Sequence, residues 1–141
     1  MPNELPAPAP TITVETKPFW DGTLEGKLML PRCTACQHVI WYPRTFCPEC
    51  GSLEVSWIQA SGRGTVYSFT VNRRANENVA YRNADRTELV YVLAYVELAE
   101  GPRVLTNIVD CDPETVRVGM PVSVVFHDTG QGSALPRFKP A

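Results

Sequence analysis

The chain has 141 residues, of which 44% are apolar and 20% charged, and a formal net charge of -2. That length holds one main core with at most a small satellite, and the composition is that of a folding globular protein rather than a disordered one. The slightly acidic balance weighs against a general nucleic-acid binder, whose affinity rests on many phosphate contacts from a basic surface.

Residues 1–5 lack the basic start and apolar run of a secretory signal, and no apolar stretch approaches the roughly 20 residues that span a bilayer. A cytoplasmic location without membrane attachment is therefore expected. Residues 1–13 carry Pro2, Pro6, Pro8 and Pro10 among alanines, a composition that favours extended backbone and offers little to bury, so a flexible tail is predicted.

Residues 14–27 read as a helical arm. Pro18 suits a first helical turn, Phe19, Trp20 and Leu24 fall on one side, and Gly26 suits the stop. So short a helix is not stable alone in water, and its aromatic load needs a surface, its own or a partner's.

Residues 28–58 contain the clearest chemical signal, Cys33-Thr34-Ala35-Cys36 and Cys47-Pro48-Glu49-Cys50. A two-residue gap turns both thiolates of a pair toward one ion, and two such knuckles complete a tetrahedron around Zn2+ that is closed to water and substrate. A rubredoxin-like iron centre would use the same pairs. Roughly 30 residues enclose little core, whereas structural zinc contributes on the order of 10 kcal/mol of folding free energy in small fingers. Between the pairs, Val39, Ile40, Trp41 and Tyr42 predict a short hairpin arm. The fifth thiol, Cys111, fits a reducing compartment better than a disulfide framework.

Residues 59–141 have a strand pattern, rich in Val, Tyr, Phe and Thr and punctuated by glycine and proline. Residues 65–71 alternate, which predicts Tyr67, Phe69 and Val71 on one face. Residues 89–98 are apolar on both faces, Glu100-Gly101-Pro102 turns the chain into residues 103–109, and residues 122–127 form the last strong strand. Five or so short strands favour a small OB-type barrel, with a β-sandwich as the alternative. The fold class is thus mainly β: a short helix and a rubredoxin-like zinc ribbon, then an OB-fold barrel.

The order of motifs resembles the zinc-ribbon plus OB-fold proteins catalogued as domain of unknown function thirty-five. The resemblance runs through Phe19-Trp20 and Gly26, Leu30-Pro31-Arg32-Cys33, Tyr42-Pro43-Arg44, Cys47-Pro48-Glu49-Cys50-Gly51 and Trp57. It continues through Gly62-Arg63-Gly64-Thr65-Val66-Tyr67-Ser68, Val96-Glu97-Leu98-Ala99-Glu100-Gly101, Val118-Gly119-Met120-Pro121-Val122 and Pro136-Arg137-Phe138. Two places depart from the common pattern. Gln37-His38 stands where glycine often follows the first knuckle, and Glu88-Leu89-Val90-Tyr91 stands where a proline-aromatic pair often opens the central strand. The resemblance implies a small, non-catalytic partner of thiolases, thiolase-like aldolases or hydratases that act on acyl-CoA thioesters.

In that light Arg73, Arg74, Arg82 and Arg86, clustered in one polar stretch, are either a solvated loop or guanidiniums that meet the phosphates of a CoA ester at a site shared with the partner. Phe19, Trp20, Trp41 and Tyr42 are either a small core joining helix to ribbon or part of a partner interface. No catalytic residue is assigned. Asp110 and Asp112 flank Cys111 and would disfavour its thiolate, His127-Asp128 with Ser61 or Ser123 lacks a nucleophile elbow, and His38 lies beside four cysteines that already fill a tetrahedral site. The reading is an accessory subunit of an acyl-CoA enzyme complex. The alternative is a single-stranded nucleic-acid module, since ribbons and OB barrels also serve that purpose.

Overall fold

The computed structural model describes residues 5–73 and 90–141. The helix α1, Lys17–Leu24, has Pro18 in its first turn and ends at Gly26, whose φ of 69° is the left-handed conformation that glycine adopts without Cβ strain. Strands β1 (Met29–Cys33) and β2 (Val55–Gln59) pair antiparallel as the ribbon. Strands β3 (Arg63–Asn72), β4 (Tyr91–Leu98), β5 (Arg103–Ile108), β6 (Pro121–Asp128) and β7 (Ala134–Pro140) close a barrel in the order β3-β4-β5-β7-β6.

The helix lies on its own chain, packed against β1, β6 and β7. Phe19 and Trp20 join Leu28 and Leu30 of the ribbon and Val66, Val96 and Phe138 of the barrel in one continuous core. Only Cys33, Ile40 and Cys47, with Val55 against them, form a local cluster of the ribbon's own. The helix therefore finds its surface within the molecule.

Two local expectations differ from the structure. The predicted hairpin arm at residues 39–42 is reduced to a single bridge between Arg32 and Val39 on one edge of β1, where Cys33 N–H donates to the His38 carbonyl and Ile40 N–H to the Pro31 carbonyl, while the full-length partner on the other edge is β2, beyond the second knuckle. On β3 the register slips between Val66 and Ser68, and this bulge turns Tyr67 outward while Val66 stays buried. Tyr67 consequently leaves the face it was predicted to share with Phe69 and Val71, and lies under the Arg103 guanidinium at 3.8 Å from the ring centre. Between β5 and β6 a brief 3-10 turn forms at Pro113–Thr115, capped by the Asp112 side chain.

The Pro/Ala-rich stretch also contributes to packing where sequence predicts none. Leu5 is 9% exposed and packs with Val109. Arg137, 2% exposed, donates to the Leu5 carbonyl at 3.0 Å, to the Pro6 carbonyl, and to His127 Nδ1 at 2.8 Å. A buried guanidinium needs acceptors, and main-chain carbonyls from the opposite end of the chain supply them. Residues 1–4 of the predicted tail lie outside the described residues.

Gly64 sits where β3 pairs with both β4 and β6. A Cβ there would come within 2.6 Å of the Glu97 carbonyl oxygen and of Val96 Cγ1. Gly64→Ala is expected to destabilise the barrel by about 1–3 kcal/mol, read as a lowered urea midpoint with an unchanged m-value. An unaltered midpoint would show that the strand junction has slack the structure lacks.

Candidate metal centre and aromatic cleft

Each cysteine knuckle closes on its own backbone. Gln37 N–H donates to the Cys33 carbonyl at 2.9 Å, and Gly51 N–H to the Cys47 carbonyl at 2.8 Å. The residue after each pair takes a left-handed conformation, Gly51 at φ 78° and Gln37 at φ 68°. Gln37 thus performs a turn suited to glycine. Its side chain compensates by bonding the Thr34 carbonyl at 3.0 Å and the Arg32 guanidinium.

The two turns bring the four thiols together. Their sulfurs all lie within 4.8 Å of one another, with Cys33 to Cys50 and Cys36 to Cys47 both at 3.6 Å. A tetrahedral Zn–S distance of about 2.3 Å implies sulfur–sulfur edges of about 3.8 Å, so the donor set fits the ion. Cys33 and Cys47 are buried, Cys36 and Cys50 exposed. The Cys33 thiol is lowered to about 7, chiefly by the hydrogen bond from the Cys36 backbone N–H. Cys36, although a hydrogen bond from the His38 backbone favours its thiolate, is pushed up to about 12 by partial desolvation of its sulfur among the other three and by the neighbouring thiols. Four thiols this close do not all ionise without a cation between them, and a bound divalent ion supplies that charge. With four protein ligands the site is closed, so its metal holds structure and offers substrate no open position.

Cys33, Cys36, Cys47 and Cys50 are the one grouping of metal-type ligands among the described residues. Cys111 packs against the main core, and burial pushes its thiol up, with Asp110 and Asp112 adding to the effect. Sequence reasoning names the two carboxylates, whereas the structure makes burial the larger cause.

The four aromatic candidates come together. Phe19 stands edge-on to Trp20 at 4.8 Å and to Trp41 at 5.5 Å, and Trp41 to Tyr42 at 5.5 Å. Phe19 and Trp20 are buried, Trp41 is half-buried and Tyr42 is exposed. They form one wall of a cleft of about 250 Å³ whose other wall is Leu105, Thr106 and Asn107 of β5 and Leu135, Pro136 and Arg137 of β7. The Trp20 indole N–H is buried without an acceptor among the described residues. Leu105 carries no signal in the sequence that would assign it to this cleft, because the parting of β5 from β7 is a property of the closed barrel.

Of the arginines, Arg73 is exposed at the end of β3 and ion-paired with Glu114 of the 3-10 turn. Arg74, Arg82 and Arg86 lie outside the described residues.

Family models for the ChsH2 rubredoxin-like zinc ribbon domain and the ChsH2 C-terminal OB-fold domain match residues 20–56 and 57–127. A probable enoyl-CoA hydratase alpha subunit of Thermomonospora curvata is 34% identical over 134 residues, which is 95% of this chain and 40% of that protein. A DUF35 domain-containing scaffold protein of Methanocaldococcus jannaschii is 40% identical over 96 residues, 67% of this chain and 64% of its own length. The chain therefore spans less than two thirds of either relative. Among solved structures, the chain resembles one described as Ltp2-ChsH2(DUF35) aldolase, with a TM-score of 0.80 and 32% identity, covering 94% of this chain and 98% of that one. A DUF35 protein of Sulfolobus solfataricus, 15% identical with a TM-score of 0.62 over 91% of this chain and 86% of its own, shares the fold.

Purified protein is expected to carry about one equivalent of zinc per chain, and Cys47→Ser, which removes a buried ligand, to lose nearly all of it and to unfold the ribbon. Elemental analysis and tryptophan fluorescence check this; one equivalent of iron with visible absorption would instead mark a rubredoxin-like centre. Matched in both halves, in the same order and over almost its whole length, the chain belongs to the ChsH2-type DUF35 family of zinc-ribbon and OB-fold proteins.

Proposed function

We propose that this chain is a non-catalytic accessory subunit of a thiolase-type acyl-CoA enzyme, a thiolase or thiolase-like aldolase, which it stabilises and whose acyl-CoA pocket it helps to shape. The observation that carries this reading is the likeness over 94% of the chain to a DUF35 chain solved with an aldolase named in the same description. The chemistry of the described residues agrees. Their metal ligands form a closed four-cysteine set, which leaves a bound ion no open position for substrate. The partner's own groups would then carry out the bond-making step, and this chain would contribute position and rigidity. Relatives named as hydratase alpha subunits, in Thermomonospora curvata and Mycobacterium tuberculosis, keep a hydratase partner within the same reading.

The nucleic-acid reading has one observation in its favour, the outward-facing Tyr67 and Tyr95 on the barrel. Bases stack on such rings. Against it, Arg103, the cation beside Tyr67, is already paired with Glu97 at 2.9 Å, and the chain's net charge is -2.

Within the proposal, the CoA-phosphate role rests on Arg73 and on Arg74, Arg82 and Arg86. A phosphate would have to compete with the exposed Glu114 for Arg73, which sets a modest effect. Affinity purification of the tagged chain from native extract is expected to bring down a thiolase-type subunit in stoichiometric amount. In that complex Arg73→Ala should raise the KM for the CoA ester by about two- to fivefold with little change in kcat. An unchanged KM would remove Arg73 from the CoA site; a chain that stays alone and binds a labelled oligonucleotide in a salt-dependent way would overturn the reading.

A further inference from the structure

The barrel seam between β5 and β7 is incomplete. Hydrogen-bonded and non-bonded pairs alternate along antiparallel strands. Leu98 N–H donates to the Pro102 carbonyl at 2.8 Å, which fixes Val96 with Val104 and Ala94 with Thr106 as the bonded pairs of β4 and β5. The main-chain groups of Leu105 therefore point away from β4, toward β7. On β7 the phase is set by Thr129 N–H to the Ser133 carbonyl and Ala141 N–H to the Pro121 carbonyl, so Pro136 and Phe138 present their main-chain groups to β5.

The parallel pairing is made at Ile108 and Phe138, where Val109 N–H donates to the Phe138 carbonyl at 2.8 Å. One step earlier β7 carries Pro136, which has no N–H to give to the Leu105 carbonyl. The Pro136 carbonyl is itself taken by the Thr106 hydroxyl at 3.0 Å. The ladder stops there. Leu105, 54% exposed, is left with a main-chain N–H and carbonyl that have no strand partner on that side among the described residues.

This gap is the mouth of the aromatic cleft, so an unpaired strand edge and an apolar pocket coincide. The one ionic group of the lining, Arg137, is engaged with the Leu5 and Pro6 carbonyls and His127. Among the described residues the lining thus offers no carboxylate or ammonium to pair with a charged guest. Trp20, 7% exposed and on the wall, holds an N–H without an acceptor among the described residues.

We propose that the seam is a docking site for a short extended segment of the partner enzyme. The segment sets one uncharged apolar side chain into the cleft and bonds its peptide groups to the N–H and carbonyl of Leu105. This rests on the accessory-subunit reading and says where that partner grips. A strand edge calls for a donor and an acceptor at peptide spacing, which a polypeptide main chain supplies. The largely apolar lining is complementary to an apolar anchor, and its one guanidinium, Arg137, is buried with N–H groups already given to the Leu5 and Pro6 carbonyls and His127. At about 250 Å³ the cleft falls below the range of roughly 300–1,000 Å³ typical of small-molecule pockets, and suits a side chain.

The test uses the full chain and the enzyme subunit that copurifies with it. Exchange of the Leu105 amide is expected to slow at least about tenfold on complex formation. Leu105→Arg, a change at an exposed side chain, should weaken the complex at least about tenfold by calorimetry, which corresponds to about 1.4 kcal/mol. Trp20→Phe, which keeps a ring and removes the N–H, should weaken it by a smaller factor, and circular dichroism of both variants establishes that they are folded. A folded Leu105→Arg chain that binds its partner with unchanged affinity, or protection confined to other faces, would overturn the seam proposal and leave the accessory role standing. A free chain that dimerises through Leu105 would assign the seam to a second copy and overturn it equally. Absence of any enzyme partner for the unaltered chain would remove the accessory role itself, and the seam proposal with it.

Discussion

A ribbon of two five-residue strands buries too little apolar surface to hold itself, and everything else in this molecule follows from how that deficit is met at its two ends. At one end, four sulfurs within 4.8 Å of one another are placed to hold an ion, whose binding free energy would be folding free energy. At the other, Leu30, with no exposed surface, and Phe19, 1% exposed, pass into the core of the barrel. The helix, the ribbon and the barrel share that core, so their relative placement is set by packing and not by linkers.

One consequence is a rigid surface with separate regions. The metal end is closed and chemically quiet. The aromatic cleft lies where helix, ribbon and barrel meet, and it borrows its walls from all three. Continuous with it, the outer face of the barrel carries Leu105 and Tyr95 around a second, shallower depression with Phe69 and Leu93. Such an arrangement suits a protein whose effect is exerted through contact, since a partner meets surfaces already in position and little ordering accompanies association.

Much of this is legible in the chain itself, for physical reasons. The cysteine spacing determines the knuckles because two-residue gaps have few ways to present two thiols to one ion. Strands β4 and β6 are legible because each is a run of β-branched, aromatic and other apolar residues beside a turn containing glycine and proline. Other features depend on contacts that local patterns do not encode. The bulge at Tyr67 moves one side chain to the opposite face, and nothing in the alternation of residues 65–71 announces it. Val39 to Tyr42 look like a strand, yet β1 pairs with β2, whose first residue lies 22 positions beyond Cys33. Leu5 is buried because Arg137, some 130 residues away, collects its carbonyl. Gln37 adopts the conformation expected of glycine, and the side-chain bonds that support it emerge only from the folded turn. The open seam is similar: Pro136 is plain in the sequence, but that it faces Leu105 is known only once β7 has closed the barrel.

The most direct measurement of the central claim is reconstitution. Acyl-CoA turnover by the separated partner subunit would be followed as this chain, loaded with zinc, is added in increasing ratio. A closed-site adaptor predicts no turnover by this chain alone and a rate that rises to a plateau at a fixed stoichiometry. Thioester conversion by this chain on its own, or a partner rate indifferent to its addition, would contradict the account.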